Sequence, residues 1–239
     1  MDMTGKRVLV TGSTTGIGRG AAEMFRAAGA HVAINGRDPA TVDRVIAEMD
    51  GEGYVAAPGH VGTIESCQRI VSTAIAKLGG LDCLVNNVGI GPLARLAHVT
   101  EAHWDEVIAV NLRAALFCTQ AALPALRAAK GSVVMISSVT GLIAGPPDSF
   151  VYAISKGGLV AMTRSLATEL AAEGVRVNCL CPGYIDTPMI QAENALTNGQ
   201  LNRAISEFTP AGRIGTVREC ASSILYFASD DARYVTGFP

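Results

Sequence analysis

Aromatic side chains make up only 5% of this 239-residue chain, and it has a single Trp. Large rings therefore contribute little to its core. The 26 Gly and the 49% apolar share suit closely packed helices and tight turns instead. Charge of one sign is also lacking. With 19 Lys and Arg against 21 Asp and Glu, the net charge is −2, which supplies no general attraction for nucleic acid or an anionic membrane. No uninterrupted apolar run reaches the roughly 18 residues of a membrane helix. Met1 to Thr11 has no apolar core of signal-peptide length. The cysteines Cys67, Cys83, Cys118, Cys179, Cys181 and Cys220 sit mostly in apolar periodic segments without zinc-type spacing. Cys179-x-Cys181 would need further ligands to hold a metal. Buried free thiols in a cytoplasmic protein are the expectation. No linker, low-complexity tract or repeat is visible, so residues 1–239 are expected to form a single domain.

What is present is alternation. Short β-rich runs are expected at 7–11, 31–35, 54–58, 83–86, 132–137 and 175–180. Between and after them lie helical patterns at 17–28, 39–50, 64–78, 101–129, 151–173 and 217–228. Gly29 is a natural stop for the first helix. Asp38-Pro39 reads as an N-cap followed by proline at the first helical position. The long stretch 101–129 contains Pro124, where a bend is expected. Strands and helices in regular alternation point to an α/β fold: a doubly wound, Rossmann-like parallel sheet with helices on both faces. Residues 187–213 interrupt the alternation after the last strand, where such sheets carry ligands, and are a candidate substrate lid.

The first strand runs into Thr11-Gly12-Ser13-Thr14-Thr15-Gly16-Ile17-Gly18. Glycines there let the backbone approach a pyrophosphate, and the next helix aims free N–H groups and its positive dipole end at the phosphates. Further along, Tyr152 and Lys156 are four apart on a helix and share a face. An ammonium near a phenol favours the phenolate, so the Tyr152 pKa is expected to fall toward the operating pH of a general acid–base. Ser138, at the carboxyl end of a strand, can donate to a substrate oxygen as negative charge develops. Strand alternation points Ser137 the other way.

The glycine turn, Asn86-Asn87-Val88-Gly89, Asn111, Ser138, Tyr152-x-x-x-Lys156 and Pro182-Gly183 occur in an order that resembles the short-chain dehydrogenase/reductase family across nearly the whole chain, in its 3-oxoacyl-reductase-like subgroup. The resemblance implies the strand order 3-2-1-4-5-6. It implies catalysis by Ser138, Tyr152 and Lys156, with Asn111 holding a water that links Lys156 to solvent. It also implies a dinucleotide held by Gly12, Ser13, Thr14, Thr15, Gly16, Ile17 and Gly18, beside a floor made by Asn87, Val88 and Gly89. Pro182, Gly183, the Ile185 backbone and the Thr187 hydroxyl would hold the nicotinamide, and Lys156 and Tyr152 would touch its ribose. Val88 stands where the family usually has Ala. His60 and Val61 stand where it usually places an Asp near the adenine, leaving His60 as an adenine contact. The family ordinarily continues past Tyr234-Val235-Thr236-Gly237 into a further strand, so a missing final strand is the expectation.

An NAD enzyme of this kind carries an acidic residue after the second strand. Here the segment is Asn35-Gly36-Arg37. A guanidinium suits a 2′-phosphate, with Arg19 nearby as added positive charge, so NADP(H) is favoured over NAD(H). The leading function is an NADP(H)-dependent ketone or 3-oxoacyl-type reductase. The alternatives are an NAD-dependent sugar, polyol or steroid-type alcohol dehydrogenase, and a non-catalytic dinucleotide sensor or scaffold. The expected partners are a small carbonyl or alcohol substrate and further copies of the chain, as a dimer or tetramer through the helices at 101–129 and 151–173. Met189, Ile190, Leu196, Leu201 and Phe208 would give the lid an apolar wall, with Arg95 and Arg203 as possible anion clamps.

Overall fold

Six short strands pair in parallel in the order β3-β2-β1-β4-β5-β6. The computed structural model describes residues 1–197 and 200–239, with the side chains of residues 189, 193, 196 and 201 outside the description. The chain runs β1 (Arg7–Val10), α1 (Gly16–Ala27), β2 (His31–Ile34), α2 (Pro39–Glu48), β3 (Tyr54–Ala56), α3 (Ile64–Leu78) and β4 (Cys83–Asn86). It continues through α4 (Glu101–Ile108), α5 (Ala114–Ala129), β5 (Ser132–Ile136), α6 (Phe150–Leu170) and β6 (Arg176–Leu180). It then adds α7 (Pro188–Leu196), α8 (Gln200–Phe208) and α9 (Val217–Ala228).

Both sheet faces are covered, which is why the strands read as continuous apolar runs. Leu9, Leu84, Val133, Met135 and Val177 pack on one face against Ile70 of α3, Cys118 and Leu126 of α5, and Leu159 of α6. The alternate residues Val8, Val10, Val32, Val85, Val134 and Ile136 pack on the other, against Phe25 of α1, Val42 of α2 and Ile224 of α9. Each such fully buried side chain contributes about 1.5–3 kcal/mol. A register slip of one residue would exchange the two sets, and Val8 opposite Val32 and Val10 opposite Ile34 show the register kept. The helix starts follow their caps. The Asp38 carboxylate accepts from Thr41 N, Thr63 accepts from Ser66 N, and Thr216 with Glu219 forms a reciprocal capping box.

One expectation is corrected. The stretch 101–129 is not one regular helix: Ala109–Arg113 forms a π-turn between α4 and α5, and α5 continues through Pro124. By length and mean hydropathy this stretch could cross a membrane, but half of its most apolar window is buried inside the protein, where α5 packs on α3. At the other end, no seventh strand forms among the described residues. Residues 236–238 nevertheless bond along the free edge of β6: Gly237 N donates to Val177 O at 2.7 Å and Cys179 N to Phe238 O at 2.8 Å.

Candidate active site

The carboxyl ends of β1, β4, β5 and β6 open into a cavity of about 650 Å³. It is lined from the glycine turn (Gly12, Thr14, Thr15, Gly16, Ile17) to a wall made by Ser138, Tyr152 and Lys156. Gly12 (φ +62°) and Gly16 (φ +56°) hold left-handed backbone, which glycine alone adopts without strain. A Cβ on Gly12 would lie 2.8 Å from Val88 Cγ2. The Thr15 side chain makes no capping bond to α1, and no acidic residue occupies its first turn. The free N–H groups at this helix start thus face the cavity, and the donor set fits an anionic pyrophosphate.

Ser13 and Gly18, expected among the cofactor contacts, are not among the residues lining the cavity. Ser13 is buried, its hydroxyl donating to Val10 O at 2.7 Å and accepting from Asn35 N at 3.0 Å. A Cβ on Gly18 would fall 2.4 Å from Gly12 O and 2.5 Å from Asn87 Nδ2. Both therefore shape the turn. Asn35 was missed by the sequence reading: its Oδ1 accepts from Gly12 N at 3.1 Å while Nδ2 donates to Ala57 O at 2.9 Å. It ties the glycine turn to the strand ends. Its signal was a polar residue closing an apolar strand.

Asn35, Gly36, Arg37, His60, Val61, Asn87 and Val88 also line the cavity, and Gly89 lines it where a Cβ would lie 3.0 Å from Lys156 Nζ. His60 Nδ1 accepts from Gly62 N at 3.2 Å. Arg37 is exposed and makes no ion pair among the described residues. Arg19 does not add free charge as expected, because it bonds both Glu23 and Glu48 at 2.9 Å. Gly36 is packed: a Cβ would meet Thr14 Cγ2 at 2.6 Å.

On the wall of Ser138, Tyr152 and Lys156, Ser138 Oγ accepts from Thr140 N at 3.2 Å and Thr140 Oγ1 at 3.0 Å, leaving its own proton to donate. Thr140 is a second residue the sequence reading missed; no pattern around it marked the role. Ser137 points away, donating to Lys156 O at 2.7 Å. Lys156 is 3% exposed, its Nζ donates to Ile136 O at 2.8 Å, and it lies 5.5 Å from the Tyr152 ring centre. Burial lowers its ammonium pKa to about 8. The expected downward shift of the Tyr152 phenol is not what the structure shows. Burial pushes that phenol up, opposed by a hydrogen bond with Ser138. Asn111, inside the π-turn, has both amide protons engaged, to Ile90 O at 2.8 Å and Ser155 Oγ at 3.0 Å, while Oδ1 accepts from Ile90 N at 2.8 Å. It clamps the loop after β4 beside the lysine.

Pro182, Gly183, Ile185, Thr187, Pro188 and Ile190 close the remaining side. Phe208, Arg95 and Arg203 are not in the lining, and the side chains of Met189, Leu196 and Leu201 lie outside the described residues.

A parallel α/β sheet with a phosphate-cradling turn and a Ser–Tyr–Lys wall in one cleft defines a nicotinamide-dependent oxidoreductase acting on CH–OH or C=O groups. The comparisons with known proteins agree. The family model described as enoyl-(acyl carrier protein) reductase matches residues 12–238. Dehydrogenase/reductase SDR family member 4 of Homo sapiens is 35% identical over 239 residues, 98% of this chain and 85% of that protein. The 3-oxoacyl-[acyl-carrier-protein] reductase FabG of Thermotoga maritima is 37% identical over 243 residues, 99% of this chain and 96% of that one. A crystal structure from Sinorhizobium meliloti, provisionally described as a short-chain alcohol dehydrogenase, superposes with a TM-score of 0.92 at 36% identity, covering 99% of this chain and 94% of its own. The chain belongs to the short-chain dehydrogenase/reductase family.

Proposed function

We propose that this protein is an NADP(H)-dependent reductase of ketones, including 3-oxoacyl-type substrates, working as a dimer or tetramer in a reducing, cytoplasmic setting. The observation that carries the reaction is that Ser138, Tyr152 and Lys156 line one cavity with the glycine turn. The dinucleotide, when bound, supplies or accepts the hydride. The residues of this chain do the rest. Ser138, held by Thr140, turns its proton to the substrate oxygen, and Tyr152 delivers the proton that completes the alcohol. Lys156 holds positive charge beside the phenol, and Asn111 fixes the loop that shapes its pocket, with a water link from the lysine to solvent as its further role.

Preference for the 2′-phosphate rests on two neighbours. A side chain at position 36 would crowd Thr14 and Val42, which disfavours the carboxylate an NAD enzyme uses there, and the Arg37 guanidinium at the same rim makes no ion pair among the described residues. The six free thiols support the reducing compartment. Beyond the catalytic wall the lining is Leu93, Val139, Pro146, Tyr184 and Ile190, with no charged side chain among them, which suits an uncharged, largely apolar substrate end. Exposed Trp104 on α4, Leu116 on α5 and Ile154 on α6 support an apolar contact between copies.

The test is Tyr152→Phe. NADPH affinity, followed by fluorescence, should stay within error, while turnover on a ketone panel falls by about 10²–10⁴-fold or more. Unchanged turnover would remove Tyr152 from the proton-transfer role.

A further inference from the structure

Two thiols at the end of β6 have no part in this chemistry. Cys179 is 1% exposed, Cys181 is half-buried, and their sulfurs lie 3.9 Å apart. Residues two apart on extended backbone present side chains to one face, so the local chain geometry itself brings the sulfurs together. Among the described residues no cluster of three His, Cys, Asp or Glu is placed to hold a metal, so the pair is not part of a cation site there. Cys67 and Cys118, also neighbours, are both about 1% exposed and closed to a reagent. The sulfurs of Cys179 and Cys181 differ in character. The hydrogen bond with Cys179 and the positive charges of Lys156 and Arg164 draw the Cys181 thiol below the ordinary range. Cys179, sharing that bond and buried, is pushed up. Cys181, the sulfur a reagent can reach, is thus the nucleophile, and the enclosed Cys179 is its resolving partner.

We propose that Cys181 and Cys179 form a modification site for hydroperoxides, in which Cys181 is oxidised first and Cys179 closes a reversible disulfide behind the catalytic lysine. The Cys181 thiolate attacks the terminal peroxide oxygen and the O–O bond breaks. The leaving hydroxide or alkoxide takes up the proton the thiol had released, and a sulfenic acid remains on Cys181. The Cys179 sulfur then displaces the hydroxyl, forming the S–S bond, and water departs with the Cys179 proton. The two thiols lose two electrons and the peroxide gains them. Closure brings the sulfurs from 3.9 Å to about 2.05 Å. The Cα separation of residues two apart on a strand, about 6.6 Å at a rise of about 3.3 Å, is at the wide end of the bridging range, which makes such a bond easily reduced. The movement falls on Pro182, which lines the cavity and whose carbonyl accepts from Val139 N at 2.9 Å. Turnover should therefore drop on oxidation. That consequence rests on the proposed function; the thiol chemistry does not.

The experiment treats the native protein with hydrogen peroxide, alkylates free thiols and digests with trypsin. Cleavage after Arg176 and Arg203 leaves both sulfurs on one peptide. The expected result is that this peptide loses two hydrogens and escapes alkylation until dithiothreitol is added. Cys181→Ala, and Cys181→Ser as a second variant should the first fold poorly, should abolish the bridge. Cys179→Ala should leave oxidation stopped on Cys181. Ketone reduction by the native protein should fall and recover with dithiothreitol, and the Cys181 variants should lose that sensitivity. Two alkylated sulfurs after peroxide, a Cys181 oxidised beyond sulfenic acid with Cys179 still free, or a bridge between chains would each overturn the proposal. If the protein reduces no ketone, the function reading fails while the peptide masses still decide this one.

Discussion

Replacing Lys156 with Met should separate what the lysine does for catalysis from what it costs the fold. The ammonium is 3% exposed and burial lowers its pKa from 10.5 to about 8. At about 1.4 kcal/mol per pH unit, that distance corresponds to about 3 kcal/mol. The sign follows from proton counting. Below pH 8 the folded and unfolded chains both carry the proton, and the folded chain bears the full burial penalty. Between about pH 8 and 10.5 the unfolded chain binds more protons, so stability rises with pH; above 10.5 the penalty is gone. Methionine removes the charge but leaves the Ile136 carbonyl without its 2.8 Å partner, a loss of about 1–3 kcal/mol. At pH 7 the Lys156→Met protein should therefore match or exceed the parent by up to about 2 kcal/mol, while ketone turnover collapses. Urea unfolding at fixed protomer concentration, at pH 7 and again near pH 10.5, is the assay. The parent should gain about 3 kcal/mol on the variant between the two pH values. An unchanged gap would mean that the ammonium is adequately solvated, and the burial reasoning would fail.

Three further perturbations test the cofactor end and the scaffold. Arg37→Ala should weaken NADPH binding by about 10–100-fold and leave NADH binding unchanged, measured by fluorescence titration of both; equal losses would deny the 2′-phosphate contact. Gly18→Ala places a Cβ 2.4 Å from Gly12 O and should destabilise the protein by about 1–3 kcal/mol while weakening both dinucleotides, read from urea unfolding and the same titrations. Arg176 donates to Phe227 O at 2.7 Å, Ser229 O at 3.1 Å and Ala228 O at 3.2 Å, holding the carboxyl end of α9 against β6. Arg176→Met should cost about 3 kcal/mol by urea unfolding, with the pocket's dinucleotide affinity retained.

The fold was largely legible in the residues because both sheet faces are buried. Continuous apolar runs between helical patterns have few other solutions, and the bounds expected for α3 and α9 agree to the residue with their capping signals. The site was legible as a set: each strand end that the alternation marked does reach the cavity. Sequence alone thus determined the α/β class, the glycine turn and the identity of the Ser138, Tyr152 and Lys156 wall, because these depend on local spacing and on which strand ends carry polar residues. Tertiary structure decided the rest. It alone set the pairing of Arg19 with Glu23 and Glu48, the packing of Thr14 over Gly36, the clamp of Asn111 on Ile90 through a π-turn, the support of Ser138 by Thr140, and the direction of the Tyr152 shift. Each depends on groups brought together from separate segments or on the depth of burial, and neither distance nor dielectric is written in the order of residues.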